Sequence, residues 1–181
     1  MSKRHRHIAL LIVGLLCSCA TTSLSKEGLM KTHNQHIASG SNKDFSHELT
    51  IESNEQTLWK AWTDVAEWKT WDVGLKDASL EGTFKEGAVG HIRDHDTRRS
   101  QFTLMKVKNN QHYTMVIKLP LARLVIERSI VARAPKALKV KHRVYFDGLL
   151  AGVFGNLLGK TFRRQLPEAM EKLRNKIEGP Q

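Results

Sequence analysis

Apolar residues recur at every third or fourth position across residues 148–177. Phe154, Leu158, Phe162, Leu166, Met170, Leu173 and Ile177 form the series, with Lys160, Arg163, Arg164, Glu168, Glu171, Lys172, Arg174, Asn175 and Lys176 between them. This spacing predicts one amphipathic helix of roughly 45 Å. A helix of that length must lay its apolar stripe on a partner surface. Leu150, Val153 and Leu157 widen the stripe near its start, and Ala151, Gly152, Gly155 and Gly159 let another backbone come close. Pro167 is predicted to bend or reset the helix near Gln165, because proline lacks a backbone donor and clashes with the preceding turn.

Upstream the period changes from helical to alternating. In residues 44–51, Phe45, His47, Leu49 and Ile51 alternate with Ser46, Glu48 and Thr50, which predicts a half-buried strand. Ser53 with Gln56 three positions on resembles a capping box and predicts a helix carrying Leu58, Trp59, Trp62 and Val65 inward. A second short turn or helix spans 67–72. Six stretches of strand character follow, at 75–80, 88–96, 101–108, 112–119, 122–133 and 137–146; the second follows Glu86-Gly87 and each of the others is closed by Gly, Asn or Pro turn chemistry. Strands joined by short turns are antiparallel neighbours, and the first strand is free to pair with the last. The sum is an α+β fold: a curved, antiparallel seven-stranded sheet wrapped around a long C-terminal helix, with two short helices after the first strand. Such a sheet does not close fully on its helix, so a cavity is expected between them.

The chain has 181 residues, 40% of them apolar, enough for one domain with a short extension. Its net charge of +11 falls to +8 without Lys3, Arg4 and Arg6. Both cysteines, Cys17 and Cys19, lie in the first twenty residues, which excludes disulfides and cysteine metal sites from the domain. Residues 1–7 are basic and 8–16 are apolar without interruption, the layout of a secretory signal and too short to span a bilayer. Leu16-Cys17-Ser18-Cys19 resembles a bacterial lipobox. That resemblance implies a signal peptide over 1–18, a lipidated Cys19, and a location in the cell envelope at the outer membrane, facing the periplasm. An ordinary cleaved signal with Ser18 and Ala20 as its small residues is the other reading. Residues 19–43 read as a flexible tether and 44–178 as the domain.

W-x-x-W-D at residues 68–72 with Gly74, GTFKEGAVG at 82–90, K-H-R-V at 141–144 and the final helix GLLAGVFGNLLGKTFRRQLPEAMEKL carry a further likeness. Together they resemble the START-related helix-grip superfamily, SRPBCC, in its polyketide cyclase/dehydrase branch. The resemblance implies a helix-grip fold and a ligand cavity, in a branch that holds both carriers and enzymes.

Taking the last two strands as paired with residue numbers summing to about 271 sets Ser129 opposite His142 and Glu127 opposite Val144. Val125, Glu127, Ser129 and Val131 then share the cavity face with Val140, His142, Val144 and Phe146. On that face Glu127 and His142 form a candidate acid/base pair for a cyclase or dehydratase. Trp62, Trp68, Trp71, Val125, Val144, Phe146, Phe154 and Leu158 are the candidate ligand contacts, and Met105, Met115 and Met170 suit an adaptable apolar wall. His91, Arg93 and His95 alternate on one strand face, with Asp94 and Asp96 opposite, and no metal is assigned to them. Lys106, Lys108, Arg123, Arg128, Lys139, Lys141 and Arg143 could make a basic sheet face, but export would remove nucleic acid from reach. No nucleophile elbow, phosphate loop, dinucleotide fingerprint or H-E-x-x-H occurs, and no cofactor is implied. The leading expectation is a hydrophobic or amphipathic small molecule, lipid or polyketide-like, held between sheet and helix by a membrane-tethered protein.

Overall fold

The structure is a computed structural model that describes residues 42–96 and 98–179. The expected signal peptide, Cys19 and most of the tether lie outside the described residues. Seven strands run β1 (Asp44–Ile51), β2 (Leu75–Leu80), β3 (Val89–Asp94), β4 (Arg99–Lys108), β5 (His112–Leu119), β6 (Ala122–Ala134) and β7 (Ala137–Gly148). Helix α1 (Glu55–Thr63) and a 3₁₀ turn (Val65–Thr70) link β1 to β2, and helix α2 (Ala151–Glu178) ends the fold. The sheet order is β1-β7-β6-β5-β4-β3-β2, antiparallel throughout. The first strand therefore pairs with the last, and α2 packs on these two, β1 and β7, as well as on α1. This is the expected curved sheet gripping a C-terminal helix.

Three register shifts bend the sheet, at Leu75/Asp77, Leu104/Lys106 and Ile130/Ala132. An extra residue in one strand increases the local twist. Met105 and Val131, the residues skipped in two of these shifts, are left exposed. Met105 is thus no part of an apolar wall, whereas Met115 and Met170 are buried.

Two local expectations are corrected. Asn54, not Ser53, caps α1, its side-chain oxygen accepting from the Thr57 backbone N–H at 2.9 Å. Helix α2 runs unbroken through Pro167, so of the bend or reset expected near Gln165 the reset does not occur. The small residues of α2 behave as the sequence implies. A Cβ on Gly155 would stand 2.5 Å from the Asn42 carbonyl oxygen, and one on Gly159 would stand 2.8 Å from the Phe45 ring. Glycine at these two positions lets the chain entering β1 lie directly on the helix.

Candidate functional site

The most constrained group inside the fold is Arg128. Only 1% of it is exposed, and a guanidinium cannot lose its charge, so its environment must supply the compensation. Its Nη2 donates to Asp72 Oδ2 at 2.9 Å, its Nε donates to His142 Nε2 at 2.9 Å, and its Nη1 donates to the Tyr113 hydroxyl. Trp71 and Trp68 lie against the guanidinium carbon, with centroids 4.5 and 5.0 Å away. Trp68 is itself fixed by donating its indole N–H to the Trp62 carbonyl at 2.9 Å. The W-x-x-W-D motif thus has a structural reason: its two indoles and its carboxylate build the cage that holds Arg128.

Burial and the adjacent Arg128 charge push the His142 pKa well below the ordinary histidine value. Geometry agrees, since an Nε2 that accepts from Arg128 carries a lone pair and leaves the neutral ring its proton on Nδ1. His47 stands directly across from His142 on β1, and burial lowers its pKa as well. Burial also raises Tyr113, to about 12, against the opposing pull of Arg128. A line of polar groups, His47, His142, Arg128 and Asp72, therefore crosses the interior, with both histidines disfavouring charge.

The expected Glu127/His142 pair does not form. Near the turn the strands pair as expected, with Ala134 opposite Ala137 and Ala132 opposite Lys139. The shift at Val131 then moves the register by one, so that Arg128 opposes His142 and Ile126 opposes Val144. A one-residue slip exchanges the faces of a strand. Glu127 and Val125 consequently lie on the outer face, where Glu127 meets Arg143 at 3.3 Å and the Tyr145 hydroxyl at 3.4 Å. Arg128 moves in the opposite direction, from the supposed basic face into the core. That outer face is not a free cationic surface, because Arg143 also pairs with Asp44, Lys139 and Lys141 pair with Glu48, and Arg123 pairs with Asp147.

Of the eight expected ligand contacts, Trp62, Trp68, Trp71, Val125, Val144 and Phe146 are each no more than 3% exposed. They have no free face to offer a ligand. Phe154 and Leu158 remain partly open, and Phe162 with them. These three lie on the N-terminal half of α2, where Phe154 stacks on Phe146 with ring centroids 6.1 Å apart. The C-terminal half of the same helix is closed, with Leu166, Ala169, Met170 and Leu173 all buried. His91 and Arg93 line a notch of about 160 Å³ with Asp77, Ser79, Ile92 and Arg99. His95 lies beyond the end of β3, so the expected alternation of three does not hold.

No protein-family model matches the chain, and no curated protein does. Solved structures do match it. Norcoclaurine synthase from Thalictrum flavum, in complex with dopamine and hydroxybenzaldehyde, is 11% identical with a TM-score of 0.57, covering 88% of this chain and 96% of that one. A structural-genomics protein from Mesorhizobium loti is 15% identical at a TM-score of 0.62, over 75% and 97% of the two chains. Another from Nitrosomonas europaea is 10% identical at 0.60, over 77% and 96%. At these identities the likeness establishes the fold, and the fold is helix-grip.

Proposed function

We propose that this chain is an exported, membrane-tethered protein that holds a hydrophobic or amphipathic small molecule between its sheet and the N-terminal half of α2. Lipidation of Cys19 would supply the tether. One observation carries the reading: Phe154, Leu158 and Phe162 belong to the inward stripe of α2, yet they keep exposed surface while the same stripe further on is buried. Apolar surface left open within a concave fold is where a guest molecule gains most, at about 25 cal/mol per Å² covered. The complex of norcoclaurine synthase with dopamine and hydroxybenzaldehyde supports small-molecule occupancy for a protein of this fold. Binding without catalysis is favoured because the polar side chains of Arg128, His142 and Tyr113 are buried and bonded to one another.

Native mass spectrometry of the purified chain, with displacement of a fluorescent fatty acid, tests the binding. A co-purified apolar ligand, or displacement that weakens on Leu158→Asp in a folded variant, is the expected result. Absence of both would overturn the reading. Palmitate labelling that persists on Cys19→Ser would overturn the tether alone.

A further inference from the structure

Helix α2 carries a second apolar row on the side facing away from the sheet. Leu149 just before it, then Val153 and Leu157, follow at four-residue spacing and are 82%, 51% and 69% exposed. Leu121 joins them at 68%, because its carbonyl accepts from the Leu150 backbone N–H at 3.2 Å and so holds the β5–β6 turn against the helix start. Lys160 and Arg164 continue the same helix face, both exposed and without an ion-pair partner among the described residues. Residues 148–167 contain Lys160, Arg163 and Arg164 and no aspartate or glutamate.

Leu121 is also strained. It sits in a two-residue turn after Pro120 with φ of +52°, a conformation that favours glycine or asparagine. A large apolar side chain held exposed in a disfavoured backbone state is not explained by stability.

We propose that this face is a docking surface for an anionic lipid bilayer, with Leu121, Leu149, Val153 and Leu157 entering the headgroup boundary and Lys160 and Arg164 meeting lipid phosphates. An amphipathic helix with apolar and basic residues on one face has the chemistry for this. The proposal goes beyond the ligand reading and does not depend on it.

The test uses the chain from residue 19 on, as cleavage of the expected signal peptide would leave it, carrying Cys19→Ser so that neither the basic apolar leader nor an acyl group contributes, mixed with vesicles of phosphatidylcholine alone or with phosphatidylglycerol. Co-sedimentation with the anionic vesicles is expected, weakening with salt and falling about tenfold in Lys160→Glu/Arg164→Glu. Leu121→Gly separates docking from folding. It relieves the turn, so the urea midpoint should hold or rise while vesicle binding drops. Equal binding by the parent and these variants, or no preference for anionic vesicles, overturns the proposal. So does a concentration-dependent dimer that Leu157→Asp abolishes in a chain that never binds vesicles.

Discussion

The two halves of α2 carry the same inward apolar stripe and meet different fates. Leu166, Ala169, Met170 and Leu173 are buried, whereas Phe154, Leu158 and Phe162 are only partly covered. The difference lies in what stands opposite. Beyond Gln165 the helix is held by α1 and the 3₁₀ turn: Lys176 donates to Glu67 and Thr70 at 2.8 Å, and Glu178 accepts from the Glu52 backbone N–H at 2.6 Å. The interior at that end is filled by the tryptophans around Arg128. Before Gln165 the described residues form no such cap, and Phe146, Phe45 and Asn42 cover one flank. Periodicity makes a stripe able to be buried, but the facing elements determine whether it is.

The sharpest way to break the closed end is to strand its charge. Asp72→Ala should cost about 3–5 kcal/mol in urea denaturation, because it leaves the Arg128 guanidinium buried without its carboxylate. Adding Arg128→Met should return part of that loss. If Asp72→Ala proved neutral, the cage would not be holding the fold together.

Next in size is a pair of truncations along α2. Met170→Ala in the closed half should cost about 2–4 kcal/mol, and Leu158→Ala in the open half about 1 kcal/mol or less. Equal losses would erase the distinction between the halves.

A smaller effect follows from the buried histidines. His142 and His47 both have pKa values lowered from 6.5, so above that pH they are neutral in the folded and unfolded chains alike and stability is at its full value. As pH falls below about 6.5 the unfolded chain takes up protons first, and stability should decline by on the order of 1–2 kcal/mol by pH 5. His142→Gln, whose carbonyl can still accept from Arg128, should flatten that decline. Urea midpoints across this pH range would reveal it, and a flat profile for the parent would contradict the proposed neutral state.

Much of the fold was legible because it rests on local chemistry. The strands predicted at 44–51, 75–80 and 112–119 have the observed bounds, and turn signals marked the hairpins that follow β2, β4, β5 and β6, though not the one between β3 and β4. The interior site was less legible. The Trp68, Trp71 and Asp72 motif was visible, but its purpose was not, since Arg128 lies 56 positions from Asp72 and reads as one more surface cation. The one available signal was that arginine's placement between Ile126 and Ile130 in an otherwise apolar alternation. Counting back from the Ala134-Pro135 turn hid it, because a bulge at Val131 leaves no mark in composition or spacing.

The sequence by itself determined which segments become strands and helices, their antiparallel order and the stripe on α2, because each follows from periodicity and turn residues a few positions apart. Only the tertiary structure decided which face of β6 points inward and which half of the last helix is sealed. A single extra residue reverses a strand's faces, and burial of a charge or a stripe depends on partners that the chain brings from far along its length.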